Sequence, residues 1–287
     1  MNSFPKFTSY RVIVHVLRSI ATKRTMIGTS KFSSFIFLDM ETTGLQKPVE
    51  ITEISMIAVQ RKLILKSSET KTIPRILDKF TACVRPAKEI ECFAASMTGL
   101  SNEDLENKKG FDIELGKIVQ SFVMRQPQPA CLIAHNGDSF DFKILVSHLQ
   151  TVGLRLPDSV ECSDSLKAFR KQHMENEEDS NCVDGVISRG KRKRFSHSLT
   201  NLYNTFVGGE FENAHRAEGD ALALLKLVVH KPDVLEYIEN GAHKLFCHQS
   251  QANGENSTKK QEQALDEECI NQVQDEYLSQ LEKEGLL

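Results

Sequence analysis

The sequence predicts an α/β sandwich built on a mixed sheet, and three observations predict it. Short apolar runs suited to buried strands occur at Phe35–Leu38, Glu53–Val59, Phe80–Val84 and Ala130–Ala134. Segments with helical periodicity occur at Ile113–Arg125, Ser139–Thr151 and Asp220–His230. The two kinds interleave along the chain, as they do when helices pack on a sheet.

Phe35-Ile-Phe-Leu38 ends at Thr42-Thr-Gly44 and so reads as a buried strand followed by a turn. Glu53–Val59 and Phe80–Val84 read as further strands, the second stopped by Pro86. Ser101-Asn-Glu-Asp104 has the composition of a helix N-terminus. The helix from Ile113 is broken by Pro127 and Pro129, and Ala130–Ala134 is the next strand. Ser139–Thr151 is a helix closed by Gly153, and Asp220–His230 is an Ala/Leu-rich helix stopped by Pro232.

A chain of 287 residues with 40% hydrophobic content suits one sizeable domain with flanking segments. The domain is placed at residues 34–237. Residues 1–33 form a leader with Lys6, Arg11, Arg18, Lys23, Arg24 and Lys31, and no acid precedes Asp39. On a helix, Arg11, His15 and Arg18 share one face and Ile13, Leu17 and Ile20 another, which fits a mitochondrial presequence. A disordered extension, or translation from Met26, fits equally and leaves cytoplasm or nucleus as the expected compartment. Residues 171–196 run from acidic to basic with few apolar side chains and read as a mobile basic loop inserted in the domain. Residues 238–287 read as a polar tail, in which Ile270, Val273, Tyr277 and Leu281 could form a short amphipathic helix.

The formal net charge of −3 gives no general attraction to nucleic acid, so any such binding must come from local patterning. The seven cysteines are scattered without a Cys-x-x-Cys pair, which argues against a disulfide framework and against a structural zinc site. No stretch approaches the ~18 apolar residues that span a membrane.

The chemistry is carried by acids and one histidine. In Asp39-Met-Glu41, side chains two apart on a strand share a face, so two carboxylates emerge together at a strand end. Oxygen donors of this kind suit a hard divalent cation such as Mg²⁺. Asp141 falls in the first turn of a helix after a buried strand, where an acid also complements the helix dipole. The preceding His135-Asn-Gly137 gives the backbone room to approach a ligand, or is simply a turn. His215-Arg-Ala-Glu-Gly-Asp220 reads as a histidine on a loop and an aspartate opening the next helix. Each signal is weak alone. Their order and placement at strand ends and helix starts make the set specific.

The set resembles the DEDDh (DnaQ-like) 3′→5′ exonuclease superfamily, whose bacterial proofreading subunits share the Asp-x-Glu-Thr-Thr-Gly start. It is more closely similar to the metazoan three-prime repair exonucleases. The matching segments are Phe37–Glu41 with Thr43-Gly-Leu45, Ser96–Ser101, Arg125-Gln-Pro-Gln-Pro129, Ala134–Asp138 with Phe140-Asp-Phe142, His215, and Ala217–Leu225. The resemblance implies a ribonuclease H-like fold, with a mixed five-stranded sheet flanked by helices. It implies that Asp39, Glu41, Asp141 and Asp220 hold two Mg²⁺ ions, with Mn²⁺ able to substitute, and that His215 is the general base. An ordinary imidazole pKa of about 6.5 suits that role near neutral pH. Glu41 and Asp220 would also meet the substrate. Met40, Thr42, Thr43 and Leu45 would line the pocket of the terminal nucleotide, with His135 and Phe140 beside the scissile end. Phe140 stands where tyrosine is common and so brings no hydroxyl.

The expected activity is removal of nucleoside 5′-monophosphates from DNA 3′ ends, single-stranded or frayed, by a homodimer with no membrane anchor. Arg189, Lys191, Arg192, Lys193 and Arg194 are candidates for the DNA backbone, through salt-sensitive phosphate contacts. A solvated loop or a nuclear localisation signal explains the same cluster. Two other functions stay open: an RNA exonuclease of the same superfamily, and a non-catalytic nucleic-acid-binding scaffold.

Overall fold

A computed structural model describes residues 30–181, 195–209 and 211–245. Six strands form one mixed sheet in the order β3-β2-β1-β4-β5-β6. They are β1 (Ser34–Thr42), β2 (Ile51–Gln60), β3 (Asp78–Cys83), β4 (Ala130–Ala134), β5 (Glu161–Asp164) and β6 (His243–Lys244). β1, β4 and β5 are parallel, while β2, β3 and β6 run antiparallel to their neighbours. The helices are α1 (Arg61–Thr70), α2 (Cys92–Thr98), α3 (Asn102–Leu105), α4 (Ile113–Met124), α5 (Asp141–Thr151), α6 (Ser165–Asn181), α7 (Leu199–Phe206), α8 (Ala217–His230) and α9 (Val234–Gly241).

Strand parity decides what each face of β1 does. Ile36, Leu38 and Met40 point to one side, into a core with Leu145 and Leu149 of α5 and Val119 and Phe122 of α4. Phe35 and Phe37 point to the other, against Leu224, Leu225 and Val228 of α8 and Leu235 of α9. Both faces of the central strands are covered, so they read as continuous apolar runs rather than alternating ones. Each fully buried side chain of this size contributes roughly 1.5–3 kcal/mol. Asp39 and Glu41 continue the parity of Phe35 and Phe37. They therefore open toward α8, the helix that carries Asp220.

Two segments of the resemblance turn out to be architectural. Gly99 adopts a left-handed conformation (φ 71°) that ends α2, and Ser101 and Asp104 make a reciprocal capping box that opens α3. In the Gln-Pro-Gln-Pro segment, the Gln126 amide donates to Asp78 Oδ2 at 3.0 Å and the Gln128 amide donates to Val123 O at 3.1 Å. Ser34 Oγ donates to Pro127 O at 2.7 Å. These bonds join the end of α4 to the starts of β1, β3 and β4.

Three expectations need correction. The sheet has six strands rather than five, because β6 pairs with β5. The folded unit therefore runs past residue 237, through α9 and β6 to Leu245, which is 1% exposed. A two-residue strand has no periodicity to read. The expected loop at 171–196 begins as helix, since α6 continues to Asn181. Lys171 and Glu175 are exposed on this helix, where composition alone read a loop. Residues 182–194, with the cluster Arg189, Lys191, Arg192, Lys193 and Arg194, lie outside the described residues, as do residues 1–29 and 246–287.

Candidate active site

Asp39 and Glu41 stand at the carboxyl end of β1, Asp141 opens α5 after β4, and Asp220 lies in the first turn of α8. The parallel strands β1 and β4 bring Asp39, Glu41 and Asp141 to one end of the sheet, the end where open α/β sheets bind ligands, and the start of α8 brings Asp220 to them. Carboxylate oxygens of Asp39, Glu41 and Asp220 lie within 4.8 Å of one another. Asp141 is buried beside them and accepts a hydrogen bond from the Met40 N–H. An all-carboxylate donor set of this kind fits a hard divalent cation.

The electrostatics follow from crowding. Burial, then the charges of Asp220, Asp141, Glu41 and Glu53, pushes Asp39 well above the ordinary carboxylate range. Glu41 is pushed up to about 8 by burial and by Asp220, Glu53 and Asp141. Burial, together with the charges of Asp164 and Asp220, raises Asp141 to about 7 against the lowering effect of its backbone hydrogen bonds. Asp220 rises to about 7 through burial and Glu53, opposed by the His215 N–H. Like charges this close cannot all ionise without a compensating cation.

His215 sits on the loop before α8 in a left-handed conformation (φ 61°), and Asn213 two residues earlier does the same (φ 58°). Such residues are uncommon outside glycine and cost of order 1–3 kcal/mol each, held by their surroundings. The hold is visible here. The His215 N–H donates to Asp220 Oδ1 at 3.3 Å, and the Arg216 N–H donates to Asn213 O at 3.2 Å. Gly219 lets α8 press against the loop, because a Cβ there would collide with the Asn213 carbonyl. A cavity of about 280 Å³ borders the loop, lined by Glu53, Asn213, Arg216, Glu218 and Lys226 among others. The histidine and the fourth acid are thus coupled through one backbone bond.

The other expected contacts divide. Thr42, Leu45 and Phe140 are half-buried, with surface still facing solvent. The Met40 side chain is in the core, and Thr43 is fully buried with its hydroxyl accepting the Glu50 N–H at 3.2 Å. His135 has both ring nitrogens engaged: Nε2 donates to His197 O at 2.9 Å and Nδ1 pairs with Ser165 Oγ at 3.0 Å. Burial lowers its pKa to about 4, so it is neutral and holds its turn rather than offering a proton. Gly137 is likewise a packing residue, since a Cβ would lie 2.7 Å from the Phe142 ring.

Two acids escaped sequence reading. Glu53 on β2 pairs directly across from Glu41 and accepts the Ala217 N–H at 2.9 Å, fixing the start of α8. Only the strand register reveals it. Asp164 ends β5 and accepts the N–H groups of Asn136 at 3.0 Å and Leu166 at 2.9 Å. It pins the turn that leads to Asp141, and burial, then the charge of Asp138, lifts its pKa to about 6. A short strand ending in Asp-Ser was its only sequence signal.

Residues 36–228 match the profile of the exonuclease family RNase_T. Three prime repair exonuclease 2 of Mus musculus is 37% identical over 219 residues, covering 73% of this chain and 88% of that protein. Three-prime repair exonuclease 1 of Homo sapiens is 36% identical over 214 residues, covering 70% of this chain and 65% of that protein. Among solved structures, E. coli exonuclease I in complex with a dT13 oligonucleotide superposes with a TM-score of 0.54 at 19% identity. That match covers 71% of this chain and 43% of the other, and shows a shared fold. The chain belongs to the RNase_T exonuclease family of the DnaQ-like superfamily, and within it to the three prime repair exonucleases.

Proposed function

We propose that this chain hydrolyses DNA from the 3′ end, releasing nucleoside 5′-monophosphates, with two Mg²⁺ ions held by Asp39, Glu41, Asp141 and Asp220. The observation that carries this is the convergence of Asp39, Glu41 and Asp220 within 4.8 Å, with Asp141 buried beside them and His215 tied to Asp220 by a backbone bond. When bound, divalent cations would neutralise the phosphate and stabilise the leaving oxygen. Four carboxylates balance the charge of two such ions, and Mn²⁺ satisfies the same oxygen donors.

The protein's own residues do the rest. His215 accepts the proton of the attacking water, and the Asp220 bond to its backbone sets where the ring can reach. Phe140, Leu45 and Thr42 meet the terminal nucleotide, and the buried Met40 and Thr43 support the pocket beneath them. The shared name of the curated relatives supports both 3′ polarity and a repair substrate. Basic residues Arg189, Lys191, Arg192, Lys193 and Arg194 would hold the DNA backbone. Support comes from Phe195, next in sequence to Arg194, which packs on His173 with ring centroids 5.0 Å apart. Two residues on, His197 O is the partner of His135. The residues that follow the basic segment therefore pack beside the active-site turn.

A homodimer joined at sheet edges is the proposed assembly. β3 is an edge strand, and Leu77, just before it, is 66% exposed. Unpaired edge strands are ready sites for strand addition.

The test is Mg²⁺-dependent digestion of matched DNA and RNA oligonucleotides, plus a DNA strand with a single terminal 2′-hydroxyl. The DNA strand should be shortened fastest. Equal or faster RNA digestion would replace DNA with RNA as the substrate.

A further inference from the structure

We propose that Asp138, Cys162 and His243 form a second metal site, separate from the acidic cluster, that binds Zn²⁺ and braces the turn leading to Asp141. Cys162 of β5 and His243 of β6 are direct cross-strand partners, and Asp138 reaches them from the turn after β4. Their ligand atoms lie within 4.8 Å of one another. Cys162 Sγ is 3.5 Å from His243 Nε2, which is 3.1 Å from Asp138 Oδ1. A tetrahedral Zn²⁺ with ordinary bond lengths has S–N and N–O edges of about 3.5 and 3.3 Å. Two of the three donor pairs are already spaced close to it.

The surroundings orient His243 and Asp138 as ligands. His243 Nδ1 pairs with Gly241 O at 3.1 Å, which turns Nε2 toward the other two. Zinc-binding histidines typically use such a carbonyl partner on their second nitrogen. Lys167 Nζ donates to Asp138 Oδ2 at 2.8 Å, so that carboxylate presents Oδ1 to the site. A mixed sulfur, nitrogen and oxygen set suits Zn²⁺ and disfavours Mg²⁺, which takes oxygen. Cys162 is fully buried, while the His243 side chain is 30% exposed and gives a small ion its way in.

Binding breaks the Cys162 S–H bond and the Nε2–H bond of a protonated His243. It forms bonds from the ion to sulfur, nitrogen and the Asp138 oxygen, and the protons leave to solvent. No electron is transferred, and a water fills the fourth position. The absence of a Cys-x-x-Cys pair does not bear on this site, because sheet register and a turn assemble it from three distant segments. Its consequence is mechanical. It ties β6 to the turn that Asp164 also holds, three residues before Asp141.

The full-length protein, stripped of metal with a chelator, should be titrated with Co²⁺ in excess Mg²⁺. Cobalt bound to a thiolate gives a near-ultraviolet charge-transfer band, which oxygen ligation at the acidic cluster does not. The expected result is a band that saturates at one ion per chain and is bleached by Zn²⁺. Cys162→Ser and His243→Gln should abolish it, and Cys92→Ser, at an exposed thiol, should keep it. Circular dichroism identifies which variants are folded, and either folded ligand variant decides the matter. The proposal is overturned if the wild-type protein shows no band, or if Cys162→Ser or a folded His243→Gln retains it.

Discussion

Asp39 and Glu41 share a face because side chains two apart on a strand must, and that much needs no coordinates. Sequence also supplied the types and order of Asp141, His215 and Asp220. It could not supply which atoms the protein keeps for itself. His135 uses both nitrogens within the fold, the Thr43 hydroxyl accepts the Glu50 N–H, and Met40 buries its side chain. Glu53 became visible only through its register opposite Glu41. Replacing His215 by alanine leaves the four acids in place, so metal binding should survive while the turnover number falls by about 10²–10⁴-fold. Calorimetric metal titration beside single-turnover kinetics checks both halves; near-wild-type turnover would remove His215 from the base role.

Elements position these residues through a few close approaches. The loop before α8 holds Asn213 and His215 in left-handed conformations, and Gly219 is where the helix meets it. A methyl group at position 219 has no room beside the Asn213 carbonyl, so the loop must shift. Gly219→Ala should therefore destabilise by about 1–3 kcal/mol, the usual range for forced overpacking. It should also lower kcat more than it raises KM, since His215 moves with the loop. Thermal melting and steady-state kinetics test this pair, and unchanged kcat in a folded variant would separate the loop from catalysis. The long helices were legible from their periodicity, and the buried strands from their continuous apolar runs. β6 and the helical stretch to Asn181 were not, the first being too short and the second too polar to show a core face.

At the scale of the molecule, the acidic cluster makes stability depend on pH and metal together. Glu41, Asp141 and Asp220 are raised to about 8, 7 and 7 from ordinary values of 4.5, 3.8 and 3.8. The folded state thus binds these protons more tightly than the unfolded one. Their contribution is full below the ordinary values and is lost as pH rises through about 7–8. The metal-free protein should melt at progressively lower temperature across that rise, and Mg²⁺ should restore more stability at pH 8 than at pH 5. A flat profile by scanning calorimetry would mean the carboxylates do not crowd in solution. Light scattering should give twice the 32.4 kDa chain mass if β3 edges join; a mass of one chain would leave that edge to another role.

The central claim is that this acidic cluster, with His215, removes nucleotides from a DNA 3′ end under divalent metal. Following product release from a single-stranded DNA labelled at its 3′-terminal nucleotide tests it most directly, with and without Mg²⁺. The first product should be the labelled nucleoside 5′-monophosphate, chelation should stop its release, and Asp220→Asn should suppress it. Release of longer labelled fragments first, or hydrolysis at full rate in the presence of chelator, would contradict it.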